Sequence, residues 1–185
     1  MKRRAFLSGL AATALLIRPW RVALAADSSP RRPSLADIRS RWKTLLAPNA
    51  DIAASAAPVR HTPEEWRKLL TPQQYGVLRE EDTERPFTSP LNHETRPGVF
   101  VCAGCALPLF TSEMKFDSGT GWPSFFTTIP DVFATKTDLQ LIYPRTEYHC
   151  VKCGGHHGHV FDDGPPPTGQ RWCNNGVALR FIPQG

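Results

Sequence analysis

Two C-x-x-C pairs stand 44 residues apart in this chain, Cys102 with Cys105 and Cys150 with Cys153, and this spacing constrains the fold more than any other feature. A C-x-x-C turn offers two sulfurs about one coordination edge apart, and four thiolates complete a tetrahedral site for one zinc. Gly104 and Gly154 suit such tight turns. Closing the gap through a metal ties two distant turns together and stiffens a small domain. Four thiolates leave no open coordination position, so the zinc reads as structural. Disulfides and a redox-active C-x-x-C are the alternatives. No βαβ pattern surrounds either pair, which argues against the redox reading.

The texture around these pairs is β. After residue 85 the apolar runs are short and turn residues recur: Val99-Phe100-Val101, Phe125-Phe126, Leu139-Gln140-Leu141-Ile142-Tyr143, Val160-Phe161 and the run 177–182. Asp163-Gly164-Pro165-Pro166-Pro167-Thr168-Gly169 reads as a stiff loop. Helices are confined to the N-terminal side. Thr62-Pro63-Glu64-Glu65 and Thr71-Pro72-Gln73-Gln74 are capping boxes, predicting short helices over 63–70 and 72–80. Ser34 caps a further short helix with Leu35, Ile38, Trp42, Leu45 and Leu46 on one face. Residues 47–61, rich in Ala and Pro, read as a linker.

The net charge of +5 belongs to the N-terminus: five of the 22 basic residues and none of the 17 acidic ones precede residue 26, leaving 17 of each sign. The rest of the chain has no net electrostatic footprint for nucleic acid. Lys2-Arg3-Arg4, an apolar stretch over 6–17 and Ala23-Leu24-Ala25 read as a signal peptide over 1–25, too short to be a comfortable membrane span. Arg3-Arg4-Ala5-Phe6-Leu7 resembles a twin-arginine export signal, with an ordinary secretory signal or an uncleaved anchor as alternatives. The expected organisation is a signal over 1–25, a leader helix and linker over 26–61, and one domain over 62–185. The expected location is the periplasm or another exported compartment, with no stable membrane span after cleavage.

Three further strings carry chemistry. Cys173 is unpaired, and Arg171 two residues away shares its face on a strand and favours its thiolate; the bland alternative is a small buried hydrophobe. His156-His157-Gly158-His159 follows closely on a metal cysteine. An extended segment puts His157 and His159 on one face, whereas a turn at Gly158 brings His156 and His159 together. A second metal site at these histidines is a competing reading. In 115–126, glycines and Pro123 present Trp122 amid phenylalanines, Phe125 among them, as an apolar pocket wall or as core.

Together these strings resemble the B-type methionine sulfoxide reductases, which reduce methionine-R-sulfoxide. The resemblance runs from Glu65-Trp66 and Leu70-Thr71-Pro72 through Thr83-Glu84-Arg85-Pro86-Phe87-Thr88, the first C-x-x-C, 115–125, His159-Val160-Phe161 and Asp163-Gly164-Pro165 to 171–175. It implies a mainly β fold of two small antiparallel sheets, of the β-tent or Mss4-like type, with N-terminal helices and a structural zinc on Cys102, Cys105, Cys150 and Cys153. It implies Cys173 as nucleophile, His156, His159 and Asn175 as its catalytic partners, and Trp122, Arg171 and Phe125 around the substrate.

The implied reaction is reduction of methionine-R-sulfoxide, free or in oxidised proteins. The thiolate attacks the sulfoxide sulfur, a histidinium protonates the oxygen, and Cys173 ends as a sulfenic acid. Family members with an internal recycling cysteine often carry it two residues before the tryptophan; here that residue is Thr120. Recycling is therefore expected from an external thiol, either a thioredoxin-like domain or a small thiol. His157, Trp172 and Gly176 replace a usual leucine, tyrosine and serine. A zinc-ribbon binding module and a thiol-disulfide oxidoreductase are the rival classes. Neutral charge, the fifth cysteine and the export signal oppose the first; zinc content discriminates the second, because a redox C-x-x-C is metal-free.

Overall fold

The computed structural model describes residues 33–139 and 143–185; the signal peptide read over 1–25 and the first residues of the leader lie outside this range. Three capped helices open the described chain. α1 (Leu35–Ser40), α2 (Pro63–Leu69) and α3 (Pro72–Glu80) each carry a complete capping box, with Ser34, Thr62 and Thr71 at N-cap. α1 passes directly into a 3-10 turn at Arg41–Leu45. No helix among the described residues is long and apolar enough to cross a membrane.

Nine strands follow: β1 (Gly98–Cys102), β2 (Pro108–Thr111), β3 (Lys115–Phe116), β4 (Ser124–Phe125), β5 (Phe133–Asp138), β6 (Arg145–Cys150), β7 (His156–Phe161), β8 (Arg171–Asn174) and β9 (Leu179–Pro183). They form two antiparallel sheets, a three-stranded one in the order β2-β1-β9 and a six-stranded one in the order β3-β4-β8-β7-β6-β5. The mainly β, two-sheet reading holds.

The core lies between the sheets. Phe110 and Phe125 stack with centroids 3.9 Å apart, and Phe100 meets Phe125 edge-on at 5.1 Å. Trp66, Leu70, Val77 and Leu78 of the helices bury against the same cluster. Each such side chain contributes about 1.5–3 kcal/mol on burial. Phe125, expected around the substrate, is fully buried in this core and is not among the residues lining the pocket beside Cys173. Adjacent strand residues face opposite ways, so Phe125 cannot follow Ser124 toward Cys173, its β8 partner.

Residues 47–61, read as a linker, run against the domain. The Ala53 amide donates to the Ala106 carbonyl at 2.9 Å and the Val59 amide to the Lys152 carbonyl at 2.7 Å. Leu45, Leu46, Ala50 and Ile52 cover Val99, Val101 and Ile182 on the second face of the small sheet. Arg41 adds a bidentate ion pair to Glu113.

Candidate functional site

The four paired cysteines converge. Their sulfurs all lie within 4.8 Å of one another, with Cys102 and Cys153 3.6 Å apart and Cys105 and Cys150 3.5 Å apart. A disulfide needs about 2.05 Å, whereas a tetrahedron of sulfurs at about 2.3 Å from a metal has edges of about 3.8 Å. The donor set and spacing fit a metal and not two disulfides. Each turn is closed by its own backbone, Ala106 donating to the Cys102 carbonyl at 2.9 Å and Gly154 to the Cys150 carbonyl at 2.8 Å. Gly154 takes φ +68°, a conformation that glycine adopts without strain.

The fifth cysteine lies on β8 between two partners. Cys173 pairs with Ser124 of β4 on one side and with His159 of β7 on the other. Gly158 makes the second approach possible, because a Cβ there would strike the Cys173 carbonyl oxygen. The Tyr148 hydroxyl holds that carbonyl from below at 3.1 Å. Above it opens a pocket of about 150 Å³ lined by Thr83, Trp122, Arg145, Gly158, His159, Phe161, Cys173, Asn174 and Asn175. This is smaller than the roughly 300 Å³ at which drug-sized sites begin and suits a single side chain. A larger cleft of about 510 Å³ beside α3 shares Thr83 with it but contains neither Cys173 nor a histidine.

The histidine segment resolves the alternatives left by its sequence. The register between β6 and β7 shifts at Tyr148/His149, and His156 and His159 come together with ring centroids 5.6 Å apart. His159 lines the pocket; its Nε2 bonds Asp138 Oδ2 at 2.8 Å. His156 lies behind it, fully buried, with Nδ1 2.5 Å from Glu147 Oε1. His157 turns into the core against Phe133 and Tyr148. The three histidines therefore do not form a metal site; His156 is grouped instead with Glu147 and His149.

Burial lowers the pKa of both His156 and His159, against the opposing pull of Glu147 on the first and Asp138 on the second. Burial pushes the Cys173 thiol up, and it outweighs the Arg171 guanidinium and the Thr120 hydroxyl, which favour the thiolate. Arg171 thus favours the thiolate as expected, but desolvation is the larger effect. Arg171 itself is held by Asp163, at 2.8 and 2.9 Å, and does not line the pocket.

Sequence reading missed Glu84, where three parts of the site meet. Its carbonyl accepts the Trp122 Nε1–H at 3.1 Å, and its amide donates to Asn175 Oδ1 at 3.0 Å. Its carboxylate caps the Gly176 and Val177 amides at 2.5 and 2.9 Å. Asn175 also donates through Nδ2 to the His157 carbonyl at 3.1 Å, so its amide is fixed at both ends. Asp138 and Glu147 were missed as well. Their local signal was a carboxylate placed inward on a strand, and both are almost fully buried.

Fold and site together define a thiol enzyme: one free cysteine under a small aromatic pocket, paired with a carboxylate-held histidine, on a two-sheet scaffold with a separate four-cysteine metal centre. The SelR domain family matches residues 70–183, more than half of the chain, and the protein belongs to that family. It is 51% identical over 124 residues to the peptide methionine sulfoxide reductase MsrB of Methanosarcina barkeri, covering 66% of this chain and 87% of that one. It is 50% identical over 126 residues to the MsrB of Agrobacterium fabrum, covering 68% and 93%. The chloroplastic peptide methionine sulfoxide reductase B1 of Arabidopsis thaliana is 45% identical over 158 residues, covering 83% and 78%.

Proposed function

We propose that this protein reduces methionine-R-sulfoxide, free or in oxidised proteins, to methionine and so repairs oxidised proteins. The carrying observation is the direct pairing of Cys173 with His159 under the Trp122 pocket. The substrate's methyl group packs on Trp122, with its sulfur facing Cys173. The Cys173 sulfur attacks the sulfoxide sulfur as its thiolate. The thiol proton passes to His159, whose imidazolium hands it to the sulfoxide oxygen, and that hydroxyl ends on Cys173 as methionine departs. His156 supports His159 from behind, Asn175 orients the pocket wall, and Arg171 steadies the thiolate as it forms. The balance of the first step is thiol plus sulfoxide giving sulfenic acid plus methionine. Two equivalents of an external thiol then return Cys173 to the thiol, yielding a disulfide and one water.

The four-cysteine centre holds one structural zinc, and the donor chemistry supports this: four thiolates select zinc among the common divalent ions. Zinc there stabilises the fold and takes no part in the reaction. The same occupancy leaves Cys173 without a free partner thiol among the described residues, which supports a thioredoxin-like or small-thiol reductant. Residues 1–25 serve as a twin-arginine signal, residues 26–61 as a leader and residues 62–185 as the reductase domain, exported to the periplasm or its equivalent.

Two experiments test these readings. One oxidises the enzyme with excess methionine-R-sulfoxide and no reductant, then traps sulfenic acid. One methionine per chain and an adduct on Cys173 support the reading; a disulfide between Cys173 and a metal-site cysteine, formed at the catalytic rate, overturns it. The other fuses residues 1–30 to a reporter. Export that stops when Arg3 and Arg4 become lysine supports the twin-arginine route, and export unaffected by that change rejects it.

A further inference from the structure

A second cluster of metal-ligating side chains lies outside the pocket, on the outer part of the large sheet. Glu147 and His149 are two residues apart on β6 and share a face, and His156 of β7 is the residue paired opposite His149. His156 Nδ1 and His149 Nε2 both approach one oxygen, Glu147 Oε1, at 2.5 and 2.6 Å. All three donor atoms lie within 4.8 Å of one another. The other oxygen of Glu147 is taken by Lys136 at 3.1 Å, and Lys136 in turn pairs with Glu81 at 2.6 Å. Glu81 Oε1 stands 3.9 Å from His149 Nε2. The cluster therefore keeps one face, bounded by Oε1 and two imidazole nitrogens, that Lys136 does not occupy.

From this geometry we infer a second metal-binding site, formed by Glu147, His149 and His156, for a borderline divalent ion such as zinc, cobalt or nickel. Two imidazoles and a carboxylate are the donor set such ions prefer, and three protein ligands leave a coordination position for water or for Glu81. With both imidazoles neutral, Glu81, Glu147 and Lys136 carry a net charge of −1, which offsets half the charge of a divalent ion. In a tetrahedral site with bonds of about 2.0–2.1 Å the donors stand about 3.3 Å apart. The present 2.5 and 2.6 Å spacings need to open by less than about 1 Å to admit the ion. The ion binds the ring nitrogens that now face Oε1, and each neutral imidazole carries its single proton on its other nitrogen, Nε2 of His156 and Nδ1 of His149. Entry is short, because the His149 side chain retains 17% of its exposure while Glu147 and His156 are buried. If the reductase reading holds, an ion here takes His156 from Glu147 and slows turnover; the binding test below does not depend on that reading.

The test uses the full chain with the four-cysteine site already loaded with zinc, in a Cys173→Ser background that removes the reactive thiol as a competing ligand. It is titrated with Co²⁺, followed by absorption and by metal retained after gel filtration. The expected result is one added cobalt per chain, with ligand-field bands and no sulfur-to-cobalt charge transfer. His149→Gln, a part-exposed change that leaves the core intact, loses the added equivalent with an unchanged melting temperature, and Glu147→Gln loses it too. No added cobalt, an added cobalt retained by His149→Gln, or a spectrum showing only thiolate charge transfer overturns the proposal.

Discussion

Asp138 on β5 holds Nε2 of His159 on β7 at 2.8 Å, reaching across the intervening strand β6. The same carboxylate oxygen accepts Arg145 Nη2 at 2.5 Å. A carboxylate at Nε2 keeps the proton on that nitrogen in the neutral ring and leaves Nδ1 as the other site of proton exchange. Burial lowers the His159 pKa, the Asp138 carboxylate raises it, and Arg145 lowers it again. Asp138→Asn removes the main raising group, so the pKa falls further. If the imidazolium is the acid, the alkaline limb of kcat/KM moves to lower pH, and activity above that limb drops roughly tenfold for each pH unit that the limb moves. A pH–rate profile with an unmoved limb contradicts the role of Asp138.

His157 gives the fold a pH limit of its own. It is fully buried, its ring nitrogens make no well-formed hydrogen bond, and burial drives its pKa down to about 4. Asn174, Tyr148, Phe133, His156 and Cys153 are the groups beside it. An unfolded histidine titrates near 6.5, so between about 6.5 and 4 the unfolded chain binds the extra proton. The histidine's contribution is thus intact above pH 6.5 and is lost as pH falls through 4, by an amount on the order of 3 kcal/mol. Denaturant melts of His157→Leu should show a flatter acid limb and a gain of about 1–3 kcal/mol at pH 5. An unchanged acid limb in His157→Leu refutes this assignment.

The Thr120 hydroxyl favours the Cys173 thiolate and joins Ser118 Oγ at 2.8 Å. The position at which the resemblance places a recycling cysteine therefore acts electrostatically on the sulfur. Thr120→Cys should convert the enzyme to internal recycling: after one turnover without reductant, mass analysis finds a 120–173 disulfide and no sulfenic adduct. A persistent sulfenic acid in that variant contradicts this placement of residue 120.

How much of this was legible in the chain depends on the range of each signal. Thr62 and Thr71 with Glu65 and Gln74 fix two helix starts through residues three apart, and the helices form where the boxes stand. The cysteine pairs are equally local, and only their meeting is long-range. His156 and His159 were undecided because the choice rests on a bulge at His157 of β7, where two steps along β7 match one along β6, and that bulge is set by the pairing with β6. Glu84 lies 91 residues from Asn175, and Asp138 lies 21 from His159, so neither partnership has a sequence period to show it. Gly176 becomes intelligible only in place, since a Cβ there would strike the Ser89 side chain. An Ala- and Pro-rich composition suggested a loose linker over 47–61, but the backbone pairs of Ala53 and Val59 tie it to both metal turns.

That strap carries a further prediction. Val59 bonds within the second C-x-x-C turn and Ala53 beside the first, so the strap braces the metal centre from outside. Its apolar cover of Val99, Val101 and Ile182 adds burial worth a few kcal/mol, at about 25 cal/mol per Å². Deleting residues 33–58 should lower the melting temperature by several degrees and speed metal loss to a chelator, with kcat/KM at low temperature little changed. Equal metal-loss rates with and without the strap would show that it only covers the sheet.

The central claim is that Cys173, beneath the Trp122 pocket and beside His159, reduces one isomer of methionine sulfoxide. The most direct measurement incubates the purified protein and a small dithiol with the resolved R and S isomers and quantifies methionine from each. The account predicts methionine from the R isomer alone, with no turnover above background in Cys173→Ser. Comparable methionine from the S isomer, or full activity in Cys173→Ser, would contradict it.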